Sequence, residues 1–321
     1  MSPRHSPERF QVCSLDQAEA DRARFKNADL APLTLASYGR DFRVFRAWCE
    51  AAGRSALPAS EETVELYVVS LLRHGRRITT LRRHAIGIQH FHRGAGHESP
   101  CGASLRALLA GAQRVLHQRP IQKAALCGAD LKRVVGAFLR RGSVIAARDL
   151  AIVLFGLGSA LRRSNLAALR LEDLTFTSEG VLVWVASEKQ ERTGAGRILA
   201  VCAGKHARTC PVRALHRWIQ HRGYAPGPLF CHVMRGRPML KPLLGNRITQ
   251  IVQQAVAAVG LDPRHYGAHS LRASFVTEAL SHGANEIAVA RQTGHRSLDT
   301  LRLYERSRNP WQGHAGAALG L

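Results

Sequence analysis

The chain has 321 residues and carries 46 Lys and Arg against 23 Asp and Glu, which gives a formal net charge of +23. This length suggests two domains. So large a positive excess indicates a polyanionic partner, because each basic group that contacts a phosphate releases condensed counterions. The longest apolar run, from Ala151 to Leu157, is far shorter than the ~18 residues needed to span a membrane. Nucleic acid is therefore preferred over a membrane as the partner, and the polar N-terminus predicts a cytoplasmic protein.

The cysteines are seven in number and widely scattered, which does not indicate a disulfide framework. One group, Cys202, His206, Cys210 and His216, contains residue types that bind zinc. Its spacing matches no standard zinc pattern, and Pro211 follows Cys210 directly, as if to begin a helix. Buried thiols and surface histidines are the preferred interpretation, so we expect no metal and no cofactor.

Residues 1–25 lack hydrophobic periodicity and are predicted to be a flexible arm. Apolar spacing then predicts a compact helical domain over 26–118, followed by a Pro-interrupted linker over 119–126. Its four helices are predicted from Thr34 to Gly53, from Ser60 onwards, from Thr79 to His92 and from Ser104 to His117.

The polar face of the third predicted helix is strongly basic. No acidic residue falls between Glu65 and Glu98, so the cluster has no neutralising residue nearby in the sequence. A solvated helix face is the ordinary alternative, but the uncompensated charge favours contact with DNA phosphates. The predicted DNA-contacting residues are Arg76, Arg77, Arg82 and Arg83, and the same face is predicted to include His84, His90, His92 and Arg93.

The second half of the chain is predicted to be a mainly α domain with a small antiparallel sheet, over 127–308, followed by a tail over 309–321. The pattern is helical from Asp130 to about Arg170. Three strands follow, and helical periodicity resumes after Pro211 and is predicted to continue nearly to the end. The predicted strands are Leu174 to Thr177, Val181 to Val185 and Arg197 to Val201.

Four separated segments contain residues suited to phosphate chemistry. Arg162 lies between two predicted helices, Lys189 lies in the turn between two predicted strands, and His269 and Arg272 open a helix. The fourth segment has His295 followed nine positions later by Tyr304. Taken singly, each residue has an ordinary explanation: a surface charge, a lysine in a turn, a solvated helix face, or a tyrosine packed against the core.

Together the segments LRRSNLAALRLEDL, HSLRASFVTEAL and GHRSLDTLRLY resemble the sequence boxes of the tyrosine recombinase (phage integrase) family. The similarity covers most of 125–308, and 30–118 resembles the family's core-binding domain more loosely. The resemblance implies a helical core DNA-binding domain plus an α-rich catalytic domain with a small antiparallel sheet. It also implies a site-specific recombinase that cleaves and rejoins double-stranded DNA without metal or ATP.

The resemblance further implies a role for each matching residue. Two fixed guanidiniums suit the non-bridging oxygens of a phosphate, and nearby cations favour the phenolate over the weakly nucleophilic phenol. The implied roles are Tyr304 as the nucleophile that forms a 3′-phosphotyrosyl bond, Arg162 and Arg272 as phosphate ligands, Lys189 as the general acid for the 5′ oxygen, and His269 and His295 as hydrogen-bonding partners, with His269 a candidate proton acceptor. Asn165 departs from the family, which usually has an acidic residue there, and this puts full activity in doubt.

Family members usually act as four subunits on paired sites, so a homo- or hetero-tetramer on DNA is implied, with the tail packing in trans through Ala317, Ala318, Leu319 and Leu321. Two alternatives stay open at this point. A type IB topoisomerase shares the same residue types but relaxes DNA without paired sites. A DNA-binding accessory subunit with weakened catalysis would be consistent with Asn165.

Overall fold

The computed structural model describes residues 14, 17–19, 21–22, 32–118, 122–186 and 196–295. The chain forms two compact units, residues 1–120 and residues 121–321. Most of the predicted arm, part of the predicted linker, Lys189, Tyr304 and the C-terminal tail lie outside the described residues.

In the described part of the first unit, the four predicted helices form around one core. The second helix begins where the sequence predicts it, because the Ser60 hydroxyl accepts a hydrogen bond from the Thr63 amide at 3.2 Å. The core contains Phe45, Tyr67 and Ile88, each fully buried or nearly so. The helices are α1 (Pro32–Ala51), α2 (Glu61–Arg73), α3 (Ile78–Gly94) and α4 (Ala103–Leu116).

A buried carboxylate from α1 neutralises part of the basic helix, which corrects the prediction that the cluster has no compensating charge. Asp41 is 2% exposed and accepts two hydrogen bonds from the Arg83 guanidinium, at 2.6 and 3.0 Å. Its other neighbour is His84, whose Nε2 lies 3.4 Å from Asp41 Oδ1 and whose Nδ1 lies 2.8 Å from the Tyr67 hydroxyl. The partner comes from 42 positions away in the sequence, so no local pattern could show it.

Two histidines assigned to the polar face of α3 are inside the unit, so that assignment was wrong. His84 is 7% exposed and His92 is 0% exposed. The His92 Nε2 accepts a hydrogen bond from the Ala59 amide at 2.9 Å, which ties α3 to the chain before α2. Both rings satisfy buried polar groups, and burial is the largest cause that lowers the pKa of each.

The second unit is built from helices packed around a long buried helix, with a three-stranded antiparallel sheet of order β1-β2-β3. Its described helices are α5 (Gly128–Arg141), α6 (Val144–Ser159), α7 (Arg163–Ala168), α8 (Pro211–Arg222), α9 (Gly245–Ala257), α10 (Ala268–Ser281) and α11 (Glu286–Thr293). Its described strands are β1 (Leu174–Phe176), β2 (Gly180–Val185), β3 (Arg197–Cys202), β4 (Cys231–Met234) and β5 (Arg237–Pro242).

The hairpin of β4 and β5 interrupts the continuous helical stretch predicted after Pro211, so that prediction was wrong. The hairpin turns through Arg235 and Gly236, which both have positive φ angles, of 49° and 76°. Two consecutive residues of this kind suit the tight turn of a β-hairpin. Both strands are short, and β5 is mostly exposed, so they lack the alternation of polar and apolar residues that identifies a strand in a sequence.

Of the four residues considered as zinc ligands, Cys210 and His216 make other contacts, and Cys202 and His206 are exposed. The Cys210 sulfur accepts hydrogen bonds from the amides of Gly204 and Arg213, at 3.2 and 3.4 Å. The His216 ring lies 4.4 Å from the Phe176 ring, measured between centroids. Within the described ranges, no group of three or more histidines, cysteines or carboxylates could hold a metal ion. None of the described helices is long and apolar enough to cross a membrane.

The pair of neighbouring arginines on α3 offers a test of the first unit. Arg83→Ala leaves the buried Asp41 carboxylate without its bidentate partner and should lower the free energy of unfolding by about 2 kcal/mol. This is less than the 3–5 kcal/mol for a fully buried pair, because the Arg83 side chain is 43% exposed and the His84 ring still lies 3.4 Å from Asp41. Arg82→Ala, which removes an exposed side chain, should change it by less than about 0.5 kcal/mol. Hydrogen exchange of α1 and α3 amides in urea would measure both, and equal effects would contradict the assignment.

Candidate active site

Arg162 lies in a sharp turn between α6 and α7. The buried, apolar helix α6 ends at Ser159, and Ala160 follows with a left-handed φ of 53°. Arg162 then adopts an extended conformation as the N-cap residue of α7. The end of a helix that is packed on all sides therefore fixes the backbone from which the Arg162 side chain extends.

Arg272 is buried in the second unit and contacts this turn directly. It lies on α10, is 2% exposed, and its Nη1 donates a hydrogen bond to the Ala160 carbonyl at 2.9 Å, across 112 positions of sequence. The explanation of this arginine as part of a solvated helix face is therefore wrong. A buried guanidinium keeps its charge, so the turn after α6 lies beside a fixed positive charge.

The end of α11 also contacts Arg162. Gly294 ends this helix in the left-handed conformation, with a φ of 67°, and its carbonyl accepts a hydrogen bond from Arg162 Nη2 at 3.4 Å. The next residue, His295, is partly buried, and its Nδ1 lies 2.7 Å from the Thr293 hydroxyl. Residues of the three boxes identified in the sequence thus meet at the turn from Ala160 to Arg162.

The pKa values of the two histidines of the site are both lowered by burial and, in addition, by the charges of Arg272 and Arg162. Burial first, and then the positive charges of Arg272 and Arg162, lower the pKa of His295 to about 4. The pKa of His269 is lowered by partial burial first and then by Arg272 and Arg162. His269 is exposed as a whole residue, but this lowering favours its neutral form near pH 7.

The second unit has an open cleft of about 390 Å³ beside Arg162. Arg162 and His269 line it, together with Lys123 and Arg163, which the sequence analysis did not single out. The Lys123 ammonium donates a hydrogen bond to the Arg264 carbonyl at 2.6 Å, across 141 positions. No local signal in the sequence predicts that contact, whereas Arg163 could have been noted as the neighbour of Arg162.

Two further predicted site residues, Lys189 and Tyr304, lie outside the described residues. The strands that flank Lys189 are described, and the last pair before the connection joins Val185 to Arg197. Asn165 lies on α7, three residues after Arg162, is partly buried, and its Oδ1 accepts a hydrogen bond from the Ser164 hydroxyl at 3.2 Å.

Comparison with known proteins places the chain in one family. The model of the phage integrase family matches residues 128–309. The chain is 30% identical over 286 residues to an integrase/recombinase XerD homolog of Selenomonas ruminantium, covering 88% of this chain and 84% of that protein. It is 29% identical over 291 residues to the tyrosine recombinase XerC of Bradyrhizobium diazoefficiens, covering 86% and 84%.

Solved structures share the fold at low sequence identity. The XerH site-specific recombinase bound to a palindromic difH substrate superimposes with a TM-score of 0.61 at 18% identity, over 96% of this chain and 85% of that one. The Tn1549 transposon integrase in complex with transposon right end DNA gives a TM-score of 0.62 at 16% identity, over 90% and 93%. Since the family model matches more than half of the chain, the protein belongs to the phage integrase family, the tyrosine recombinases that cleave and rejoin DNA.

Proposed function

We propose that this protein cleaves and rejoins DNA at specific sites through a covalent bond between Tyr304 and a 3′ phosphate. The observation that carries the proposal is the pair of hydrogen bonds from Arg272 to Ala160 and from Arg162 to Gly294. These bonds join three distant sequence segments around the turn that carries Arg162.

The two arginines are proposed to bind the non-bridging oxygens of the scissile phosphate. Negative charge on these oxygens increases as the phosphorus becomes five-coordinate, and donors fixed in advance stabilise that charge without reorganisation. Arg272 is held by its contact with Ala160, and Arg162 by its contact with Gly294. A planar guanidinium matches the spacing of two phosphate oxygens better than a flexible ammonium does.

Tyr304 and Lys189 are proposed to make and break the bonds. The Tyr304 oxygen attacks phosphorus and its proton passes to the neutral His269, while the bond to the 5′ oxygen breaks and that oxygen takes a proton from the Lys189 ammonium. The same steps in reverse rejoin the strand. Because the phosphotyrosyl bond conserves the energy of the phosphodiester, rejoining needs no ATP.

Specific double-stranded DNA is the proposed substrate, bound in part by the first unit. Arg76, Arg77, Arg82 and Arg83 are the proposed phosphate contacts there, and of these Arg83 also donates to the buried Asp41 carboxylate. XerH and the Tn1549 integrase were solved with DNA bound, which supports this role. We further propose action in the cytoplasm, as a homo- or hetero-tetramer on paired sites.

A covalent adduct is the direct test of this function. Nicked suicide duplexes from the sequences flanking the gene should become attached to the protein on denaturing gels, because the nick releases the short leaving strand and prevents rejoining. Tyr304→Phe should give no adduct and still bind the same duplex. An adduct in Tyr304→Phe would refute the nucleophile, and an adduct formed equally on unrelated DNA would favour a topoisomerase.

The protonation of the site histidines gives a second test, on the DNA-free protein. Since burial and two arginines lower the pKa of His295 to about 4, its ring should gain a proton only as the pH falls through about 4, against an ordinary value of about 6.5. Arg272→Ala should raise that midpoint, because it removes one positive neighbour. Proton NMR of the ring resonance, assigned with His295→Gln, would measure it. A midpoint at or above 6.5 would contradict the arrangement.

A further inference from the structure

The strand β3 makes a contact whose position suggests a role in the reaction. β2 and β3 are antiparallel, and their last pair, Val185 with Arg197, lies where the chain leaves for the connection that contains Lys189. Lys189 is four positions from Val185, within about 14 Å along the chain. Whatever fixes Arg197 therefore fixes one of the two points from which the Lys189 segment extends.

Arg197 is held by the end of α11. Its Nη1 donates hydrogen bonds to the carbonyls of Arg291 and Gln292, at 2.9 and 3.1 Å. These carbonyls belong to the last turn of α11, where the helix supplies no amide partners and has partial negative charge. A guanidinium that bonds to two of them satisfies both groups and fits this charge.

A second contact holds β3 against α11, so that the strand is attached to the helix at two points. The Gln292 amide donates a hydrogen bond to the Ala200 carbonyl of β3 at 2.9 Å, and lies 3.5 Å from the Ser159 carbonyl at the end of α6. β3 is therefore joined to α11 at Arg197 and at Ala200, three residues apart on one strand. The same end of α11 provides Gly294, which accepts from Arg162.

We propose that Arg197 is a positioning residue that sets the Lys189 segment in register with Arg162 and His295. The proposal rests on the proposed role of Lys189 as general acid. The connection runs in three steps. The Lys189 segment precedes β3, which begins at Arg197, and Arg197 binds the end of α11. The two residues that follow this helix are Gly294, the partner of Arg162, and His295. Arg197 itself touches no reacting atom in this scheme.

The chemistry of the leaving group allows the role to be tested. When sulfur replaces the bridging 5′ oxygen of the scissile phosphate, the leaving thiolate is stable without a proton, and a general acid is no longer needed. A defect in the acid or in its placement should then disappear, whereas a defect in phosphate binding or in folding should persist. The probe is the nicked duplex that carries the site found by the adduct assay, made with either 5′ oxygen or 5′ sulfur.

On the oxygen substrate, Arg197→Ala should cleave about 10- to 100-fold more slowly than the unaltered protein, the scale expected when a catalytic group is misplaced by about 1 Å. On the sulfur substrate it should cleave within about threefold of the unaltered protein. Arg197→Lys keeps the charge but not the planar guanidinium, so its cleavage rate on the oxygen substrate should lie between those of Arg197→Ala and the unaltered protein. Arg217→Ala, which removes an exposed arginine of α8, should leave both rates unchanged.

Two reference variants separate failure of this inference from failure of the proposed function. Lys189→Ala should cleave the oxygen substrate about 10²–10⁴-fold more slowly than the unaltered protein and should regain its cleavage rate on the sulfur substrate. Arg162→Ala should cleave both substrates slowly. If Lys189→Ala recovers while Arg197→Ala and Arg197→Lys stay equally slow on both substrates, the positioning role is wrong. If Lys189→Ala itself does not recover, the acid assignment is wrong, and the role of Arg197 falls with it.

Discussion

A buried guanidinium needs hydrogen-bond acceptors, and the contact of Arg272 with the Ala160 carbonyl is the interaction on which the site depends. Arg272 is 2% exposed and cannot lose its proton, so its burial is tolerated only where carbonyls converge on it. The left-handed turn at Ala160 presents such a carbonyl. The same turn leads within two residues to Arg162, so satisfying one arginine places the other.

The electrostatics of the site follow from this constraint. Burial is the largest cause that lowers the pKa values of His269 and His295, and Arg272 and Arg162 lower them as well, which leaves both rings neutral near pH 7. A neutral imidazole can accept the proton of a phenol, which a protonated one cannot. A bound phosphate would place negative charge between the arginines, where the site is most positive. Asn165, unlike a carboxylate, adds no negative charge that would offset these cations.

Local signals predicted the parts of this structure that depend on local physics. The Ser60 cap, the junction of α6 and α7 around Arg162, and the flanks β2 and β3 of the Lys189 connection all follow from helix ends and strand alternation. Long-range partners could not be predicted this way. The pairing of Arg83 with Asp41 and the placement of Lys123 by the Arg264 carbonyl join distant positions, and the short, exposed β4–β5 hairpin gives little periodicity to detect.

In the proposed mechanism, Arg162 and Arg272 act by neutralising charge on the scissile phosphate. A methylphosphonate at that position replaces one charged non-bridging oxygen with a neutral methyl group. The rate loss caused by Arg162→Ala or Arg272→Ala, relative to the unaltered protein, should be at least about tenfold smaller on one methylphosphonate stereoisomer than on the ordinary phosphate. Equal losses on both substrates, in variants that remain folded, would contradict it.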